Sequence, residues 1–139
     1  MDKLKTIIEG LESNIDSSDF PSCCETAVAE IKRLNLSIGA IEPLLSFMTK
    51  YPDLDYGMPG ALIHFIESFP EAAYIDFLIR CIQKQPTEHN VWMLLRIMNT
   101  WESSRQDEYI GIMKTALLHP NINEGVKESI KEYLQDFEE

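Results

Sequence analysis

The sequence is poor in basic residues. Twelve Lys and Arg stand against 23 Asp and Glu among 139 residues, which gives a formal charge of −11. Proteins that bind nucleic acid or an anionic membrane need a stripe of Lys and Arg to neutralise phosphates. We therefore expect no direct nucleic-acid contact and no membrane contact. A basic protein partner is favoured instead, because the acidic surface would attract it over long range.

Cysteine is also scarce. Three cysteines, two of them adjacent, make a poor disulfide framework, and together with the three histidines they match no zinc-ligand spacing. The residues concerned are Cys23, Cys24, Cys81, His64, His89 and His119. We expect no metal and no cofactor. Cys24 and Cys81 are predicted to be small core residues, and Cys23 to be partly exposed.

Long apolar runs are missing. No stretch reaches the roughly 18 apolar residues that predict a membrane-spanning helix, and the first eleven residues do not read as a signal peptide. Hydrophobic residues make up 45% and charged residues 25%, which is typical of a globular protein. We expect a cytoplasmic protein with a single domain over 1–139.

Strand patterns are absent, and helical periodicity runs through almost the whole chain. Apolar residues recur at spacings of three and four in eight successive segments, so the predicted class is all-α with about eight helices. The second stripe, for example, comprises Ala27, Val28, Ile31 and Leu34. Predicted helix starts include a Ser22–Glu25 capping box, Pro70 as the first residue of the fifth helix, Thr87, Ser104 with Asp107, and Asn121 or Asn123.

A weak internal repeat is visible. Pro52, Pro86 and Pro120 lie 34 residues apart, and each follows an apolar helical segment. A helix-pair period of this length predicts antiparallel pairs stacked as a HEAT-like α-solenoid. The alternative is an irregular helical bundle in which the spacing of the prolines is a coincidence.

Signatures of catalysis are few, since no nucleophile elbow, phosphate-binding loop or zinc-protease motif is present. His64 and Glu67 stand at i and i+3 on a predicted helix, where their side chains can meet. One hypothesis is a small hydrolase that uses His64 with Glu67 or Asp55. The favoured interpretation is structural, with His64 and Glu67 supporting the preceding loop. His89 is expected to be exposed near a helix start.

The one clear loop covers residues 51–60, where two Pro, two Gly and two Asp occur within ten residues. Tyr56 lies in this polar loop. The apolar face of the helix that carries Trp92 is already filled by Val91, Leu94, Leu95 and Met98. We expect both aromatic side chains to be exposed beside acidic residues, where they would anchor a protein partner. The alternative for Trp92 is that it covers a neighbouring helix pair. Trp101 is expected to pack at a helix end.

Two segments, residues 53–67 and 88–99, resemble small bacterial immunity proteins of polymorphic-toxin and contact-dependent growth inhibition systems. That family pairs a D-[YF]-G-x-P-G-P-[LIV]-[VI]-H-F-[IL]-E segment with a W-M-L-x-R-I-x-N segment. Ala61 departs from the family's proline. The matching residues are Asp55, Tyr56, Gly57, Pro59, Gly60, His64, Phe65 and Glu67 in the first segment, and Trp92, Met93, Leu94, Arg96, Ile97 and Asn99 in the second.

The resemblance implies an antidote that binds and blocks a cognate toxin domain, often a nuclease, without catalysis of its own. A nuclease domain that binds phosphates tends to be basic, so the acidic composition agrees with such a partner. The residues expected at the interface are Asp53, Asp55, Tyr56, Glu88, Trp92 and Arg96. A helical-repeat adaptor in an unrelated complex is the alternative function, because it would present the same kind of surface.

Overall fold

A computed structural model of the chain describes residues 2–57, 60–100 and 105–137. The described residues form eight α-helices and no strand, which confirms the predicted all-α class. The chain divides into two compact units, Met1–Tyr74 and Ile75–Glu139. The single-domain organisation and the HEAT-like stacking stay predictions. None of the described helices has the length and apolar character to cross a membrane.

The first unit contains four helices: α1 (Lys3–Glu12), α2 (Phe20–Arg33), α3 (Ile41–Lys50) and α4 (Ala61–Glu67). Helix α1 packs on α2 and α3, and α2 also packs on α4. The predicted second stripe is largely correct, since Ala27, Val28 and Ile31 are buried and Leu34 is half-buried. Pro43 lies in the first turn of α3, where its missing N–H leaves no hydrogen bond unmade.

Two predicted helix starts in the first unit are wrong. Helix α2 begins at Phe20, before the predicted capping box, because the Phe20 ring is buried and packs against Phe47. The Ser22 hydroxyl donates to the Asp19 carboxylate, with 2.8 Å between Oγ and Oδ2, and so does not cap a backbone amide. Pro70 has an extended backbone and precedes a 3₁₀ turn, Glu71–Ala73, so it does not open the fifth helix.

The second unit contains α5 (Ile75–Lys84), α6 (Glu88–Met98), α7 (Gln106–Ala116) and α8 (Glu124–Gln135). Helix α6 packs on all three of the others. Val91, Leu94 and Met98 of the predicted stripe are buried, and Leu95 is half-buried. The buried face of α6 also includes Met93 and Ile97, which were not predicted.

Helix starts in the second unit follow local sequence closely. Thr87 caps α6 as predicted: its hydroxyl accepts the Asn90 amide at 3.2 Å, and the Asn90 side chain accepts the Thr87 amide at 2.8 Å. Asn123 caps α8 through the Gly125 amide at 2.7 Å. The N-cap position of α7 is Arg105. Ser104 and Trp101 lie outside the described residues, and the predictions for them stay predictions.

The 34-residue period is present in one helix of each predicted pair. Helices α3 and α5 are both ten residues long and begin at Ile41 and Ile75, 34 positions apart. The following helices do not keep the period, since α4 begins at Ala61 and α6 at Glu88. The described structure therefore supports a repeated helix with a following turn, but not a repeated pair.

The turns after α5 and α7 are fastened to each other by side chains. His119 Nε2 lies 2.9 Å from the Lys84 carbonyl oxygen, and the Asn121 amide donates to His119 Nδ1 at 3.1 Å. Gln85 Nε2 donates to the Asn121 carbonyl at 2.9 Å. Because Nδ1 accepts, the tautomer that satisfies both contacts carries its proton on Nε2.

Replacing this histidine should loosen the second unit. We expect His119→Ala to lower the free energy of unfolding by about 1–2 kcal/mol, because it removes two hydrogen bonds from a half-buried site. Chemical denaturation monitored by circular dichroism measures the change. His64→Ala is the matched control: the His64 side chain is exposed, so its loss should stay within about 0.5 kcal/mol. Equal losses in the two variants would contradict the proposed fastening.

Candidate functional site

The loop between α3 and α4 is built around one buried tyrosine. The Tyr56 side chain is 1% exposed, and its hydroxyl donates to the Tyr51 carbonyl oxygen at 2.6 Å. Its ring meets Phe20 edge-on with centroids 5.6 Å apart, and Phe47 edge-on at 6.3 Å. Such edge-to-face contacts add to the free energy of burial. Tyr56 therefore pins the loop to α2 and α3.

This burial overturns the predicted exposure of Tyr56. A side chain that contributes almost no accessible surface is not a surface anchor, although its position in the loop led us to expect one. The physical reason is that a tyrosine ring can reach back over the ends of α2 and α3, while its hydroxyl finds a carbonyl acceptor. Tyr56 is thus a residue that shapes the candidate site from beneath.

Glycines allow the loop to close onto Tyr56. Gly60 has φ of 93° and ψ of 170°, a backbone region that is accessible almost solely to glycine. A Cβ atom at this position would lie 1.7 Å from the Tyr56 carbonyl oxygen. Gly57, with φ of 104°, takes a second left-handed conformation. Its amide donates to the Asp55 carboxylate, with 3.0 Å between N and Oδ1.

Polar contacts tie the start of the loop to α1. The Tyr51 hydroxyl donates to Glu12 Oε2 at 2.9 Å, and Lys50 Nζ lies 3.2 Å from the same oxygen. The hydrogen bond from Tyr51 and then that from Lys50 hold the pKa of the Glu12 carboxyl below its usual value. No local sequence pattern indicates this contact, because it joins residues 39 positions apart.

The two predicted acidic residues of the loop point outward. Asp53 and Asp55 are both exposed. Asp55 uses one carboxylate oxygen for the Gly57 amide, which fixes its direction while leaving the charge in solvent. The first unit thus presents two exposed carboxylates on the part of the loop that directly precedes the buried Tyr56. We name Asp53 and Asp55 the loop carboxylates.

Beneath the loop carboxylates, two buried acids should make the fold sensitive to alkaline pH. Burial is the main reason that the pKa of Cys24 rises from 9.0 to about 12, with smaller contributions from Cys23 and Asp55. Burial likewise raises the pKa of Tyr56 above its usual value of 10.0. In both cases the unfolded chain loses the proton at a lower pH than the folded chain does.

We therefore expect the free energy of unfolding to fall as pH rises from about 9 to about 12, by up to roughly 1.4 kcal/mol per pH unit for each group. Urea unfolding at a series of pH values measures this slope. The double variant Cys24→Ala/Tyr56→Phe carries neither ionisable group and should show a shallower slope, whatever its stability at neutral pH. An unchanged slope would contradict the assignment.

The second set of predicted residues lies along α6. Glu88, Trp92 and Arg96 are spaced four apart and therefore share one side of the helix. The Arg96 guanidinium carbon lies 4.9 Å from the centroid of the Trp92 ring, in a cation–π arrangement. Glu88 and Arg96 are exposed and Trp92 is half-buried. We name these three residues the α6 face.

Helix α8 supports the start of the α6 face. The Ser129 hydroxyl lies 3.1 Å from each carboxylate oxygen of Glu88. Burial, followed by the nearby Glu88 charge, raises the pKa of Tyr133.

The half-buried state of Trp92 lies between the two predicted alternatives, because part of the ring is covered and part remains accessible. His89 is also half-buried, which corrects its predicted exposure, and burial lowers its pKa.

The remaining predicted residues lie on α4. His64 is exposed and Glu67 is half-buried. The loop contacts that the structure describes come from Tyr56, Asp55 and Tyr51, so support of the loop by His64 and Glu67 stays a prediction. Pro59, which belongs to the resemblance motif, lies outside the described residues. Within the described part of the chain, no group of three or more His, Cys, Asp or Glu is placed to hold a metal ion.

The loop carboxylates belong to the first unit and the α6 face belongs to the second. Comparison of the chain with models of protein families, with curated proteins and with solved structures finds no match.

Proposed function

We propose that this chain is an immunity protein, which binds and neutralises the cognate toxin domain of a contact-dependent growth inhibition system or a related polymorphic-toxin system. The inhibition is non-catalytic and takes place in the cytoplasm. The partner is a basic domain, most readily a nuclease, because a nuclease surface that binds phosphates is complementary to an acidic inhibitor. The class comes from the resemblance of residues 53–67 and 88–99 to that family.

The observation that carries the proposal is the fixed, exposed acidic loop. Asp53 and Asp55 are solvent-exposed, whereas Tyr56 directly after them is buried and hydrogen-bonded. A loop that is held in one shape before binding loses little conformational entropy on association. The Asp55 carboxylate, which the Gly57 amide orients, and the nearby exposed Asp53 can then meet the cationic groups with which a nuclease contacts phosphates.

The α6 face supplies the kind of residue that dominates binding energy. Trp and Arg are enriched at the energetic centres of protein interfaces, and here Trp92 and Arg96 lie together on one helix. Glu88 contributes a further exposed carboxylate at the start of the same helix. Tyr56 is removed from the set of direct contacts and acts by shaping the loop.

Neutralising the loop carboxylates should slow toxin binding. We expect Asp53→Asn/Asp55→Asn to reduce the association rate about tenfold at low salt, because steering by opposite charges is lost. Asparagine keeps the acceptor oxygen for the Gly57 amide, so the loop should retain its shape. The measurement is surface plasmon resonance, with the inactivated C-terminal domain of the toxin that the neighbouring gene encodes.

The matched control is Glu9→Gln/Glu25→Gln, which removes two exposed charges from α1 and α2 of the same unit. We expect a change of less than about twofold in the control, since the net charge falls equally but the loop is intact. Equal rates in both double variants would show that net charge alone matters, and would count against the loop as a contact. His64→Ala tests the hydrolase hypothesis, because protection of cells that survives this change excludes a catalytic histidine there.

A further inference from the structure

Helices α1 and α2 form a hairpin with an apolar groove between them that is open to solvent. The groove has a volume of about 630 Å³. Its central lining comprises Ile7, Gly10 and Leu11 from α1 and Cys23, Thr26 and Ala27 from α2. It extends along α1 from Lys3 and past the end of the helix to Asn14, a stretch of about 17 Å. None of the residues assigned to toxin binding lines this groove.

Gly10 leaves bare backbone at the middle of the groove. A Cβ atom at Gly10 would meet nothing within 4 Å, so the fold of the unit does not require glycine there. Positive φ is found at Gly57 and Gly60 among the described glycines, so Gly10 has no conformational need for glycine either. Glycine inside a helix is less favourable than alanine. Bare backbone in an apolar groove permits the close approach of another helix.

The two ends of the hairpin carry opposite charge. Residues 1–74 contain five Lys and Arg, and four of them lie at one end: Lys3, Lys5, Lys32 and Arg33. Arg33 pairs with Glu30, whose carboxyl is also influenced by Lys3, which places the start of α1 beside the end of α2. At the other end, the connection between the helices carries Asp16 and Asp19, both exposed, and no basic residue.

We propose that this face binds the same face of a second copy of the chain, with the two hairpins antiparallel. A two-fold axis through the centre of the groove brings Lys3 and Arg33 of each copy to Asp16 and Asp19 of the other. The apolar centres with Gly10 then pack against each other, and the product is a four-helix arrangement. Both halves of the charge complementarity are present in one chain, as a self-complementary interface requires.

The size of the face sets the expected strength. The face is about 17 Å long and two helices wide, which is roughly 20 Å. The area that it can bury is therefore well below the about 800 Å² per partner of a standard interface. The high net negative charge of the chain also opposes association. The dimer is therefore weak, with dissociation in the range of tens to hundreds of micromolar. This pairing does not depend on the proposed function, and the failure of one leaves the other standing.

The test is sedimentation velocity on the full chain from about 10 µM to about 1 mM, together with charge reversals. We expect the mass to rise from 16.0 kDa toward twice that value. Lys3→Glu and Asp19→Lys should each weaken the dimer about tenfold or more, because each places like charges together. The double variant Lys3→Glu/Asp19→Lys should restore dimerisation, since the opposite charges meet again with exchanged signs.

Two controls separate the groove from general charge effects. Lys84→Glu makes the same charge change at an exposed lysine on α5, outside the hairpin, and should leave the dimer intact. Gly10→Leu should abolish the dimer without destabilising the monomer, because a Cβ atom there meets nothing within 4 Å and the position is exposed. Gly111 on α7 is exposed and equally open at its Cβ position, and Gly111→Leu should have no effect on mass. A monomer at all concentrations, no rescue in the double variant, or a dimer that survives Gly10→Leu would each overturn the proposal.

Discussion

Replacing Gly60 by alanine should lower the free energy of unfolding by about 3 kcal/mol or more. The backbone at this position has φ of 93° and ψ of 170°, which is strained for any residue with a Cβ atom by about 1–3 kcal/mol. The added methyl group would also lie 1.7 Å from the Tyr56 carbonyl oxygen, and a backbone atom can yield only if the loop moves. Chemical denaturation of the wild type and the variant measures the difference.

The control is Gly111→Ala in α7. Its Cβ enters open space within a helix, so the variant should gain up to about 1 kcal/mol of stability from the better helix former. The two substitutions add the same methyl group, but because their surroundings differ, the changes in the free energy of unfolding should have opposite signs. If Gly60→Ala were as stable as the wild type, the closed loop would not be a fixed part of the fold, and the rigidity that the functional proposal uses would be lost with it.

Tyr56→Ala should be the most damaging substitution in the loop, with a loss of about 3–5 kcal/mol. It deletes a ring that is 1% exposed and leaves a cavity between Phe20 and Phe47. Since the loop carboxylates stand directly before this ring, toxin binding should fall together with stability. Denaturation and binding are measured on the same preparations.

Tyr56→Phe separates the hydroxyl from the ring. It keeps the aromatic contacts and removes only the hydrogen bond to the Tyr51 carbonyl, so the loss should be about 1–2 kcal/mol. Toxin binding should be nearly unchanged, because the hydroxyl is not at the surface. A large loss of binding in a well-folded Tyr56→Phe variant would mean that the hydroxyl itself reaches the partner, contrary to its burial.

Local signals in the sequence were enough wherever a helix end is stabilised by its own neighbours. Thr87 and Asn90 exchange hydrogen bonds over three residues, and the cap is visible in the sequence for that reason. The start of α2 was mispredicted because it depends on Phe20 packing against Phe47, which lies 27 positions further along the chain. A hydroxyl and a carboxylate three residues apart can form a cap only if the helix begins at that point.

In the candidate site too, features set by neighbouring residues are predictable from the sequence, and features set by distant packing are not. The loop at 51–60 follows from its Pro, Gly and Asp content, and the exposure of the loop carboxylates follows from their charge. The burial of Tyr56 does not, because it requires knowledge of the pocket formed by α2 and α3. The glycines at 57 and 60 were the available signal, since two glycines flanking a short loop permit tight closure over a ring. The groove at Gly10 had a similar signal, a glycine inside a helical stripe.

The repeat illustrates how far a period can be trusted. The spacing of the three prolines correctly marks the turns after α3, α5 and α7, and two of these helices have matching bounds. The segments that follow the turns differ. Helix α4 begins only after the long loop, whereas α6 begins directly after its N-cap Thr87. A period of turn residues predicts where the turns lie, but it does not predict where the following helices begin.

The most direct test of the account is a binding and inhibition measurement with the toxin domain that the neighbouring gene encodes. Titration calorimetry of the purified chain against the inactivated domain should show one-to-one binding with a dissociation constant at or below about 10⁻⁸ M, as in other tight inhibitor complexes. The active domain should lose its activity at an equal molar ratio of the chain. No heat of binding at micromolar concentrations, together with undiminished toxin activity, would contradict the proposal that this chain is an immunity protein.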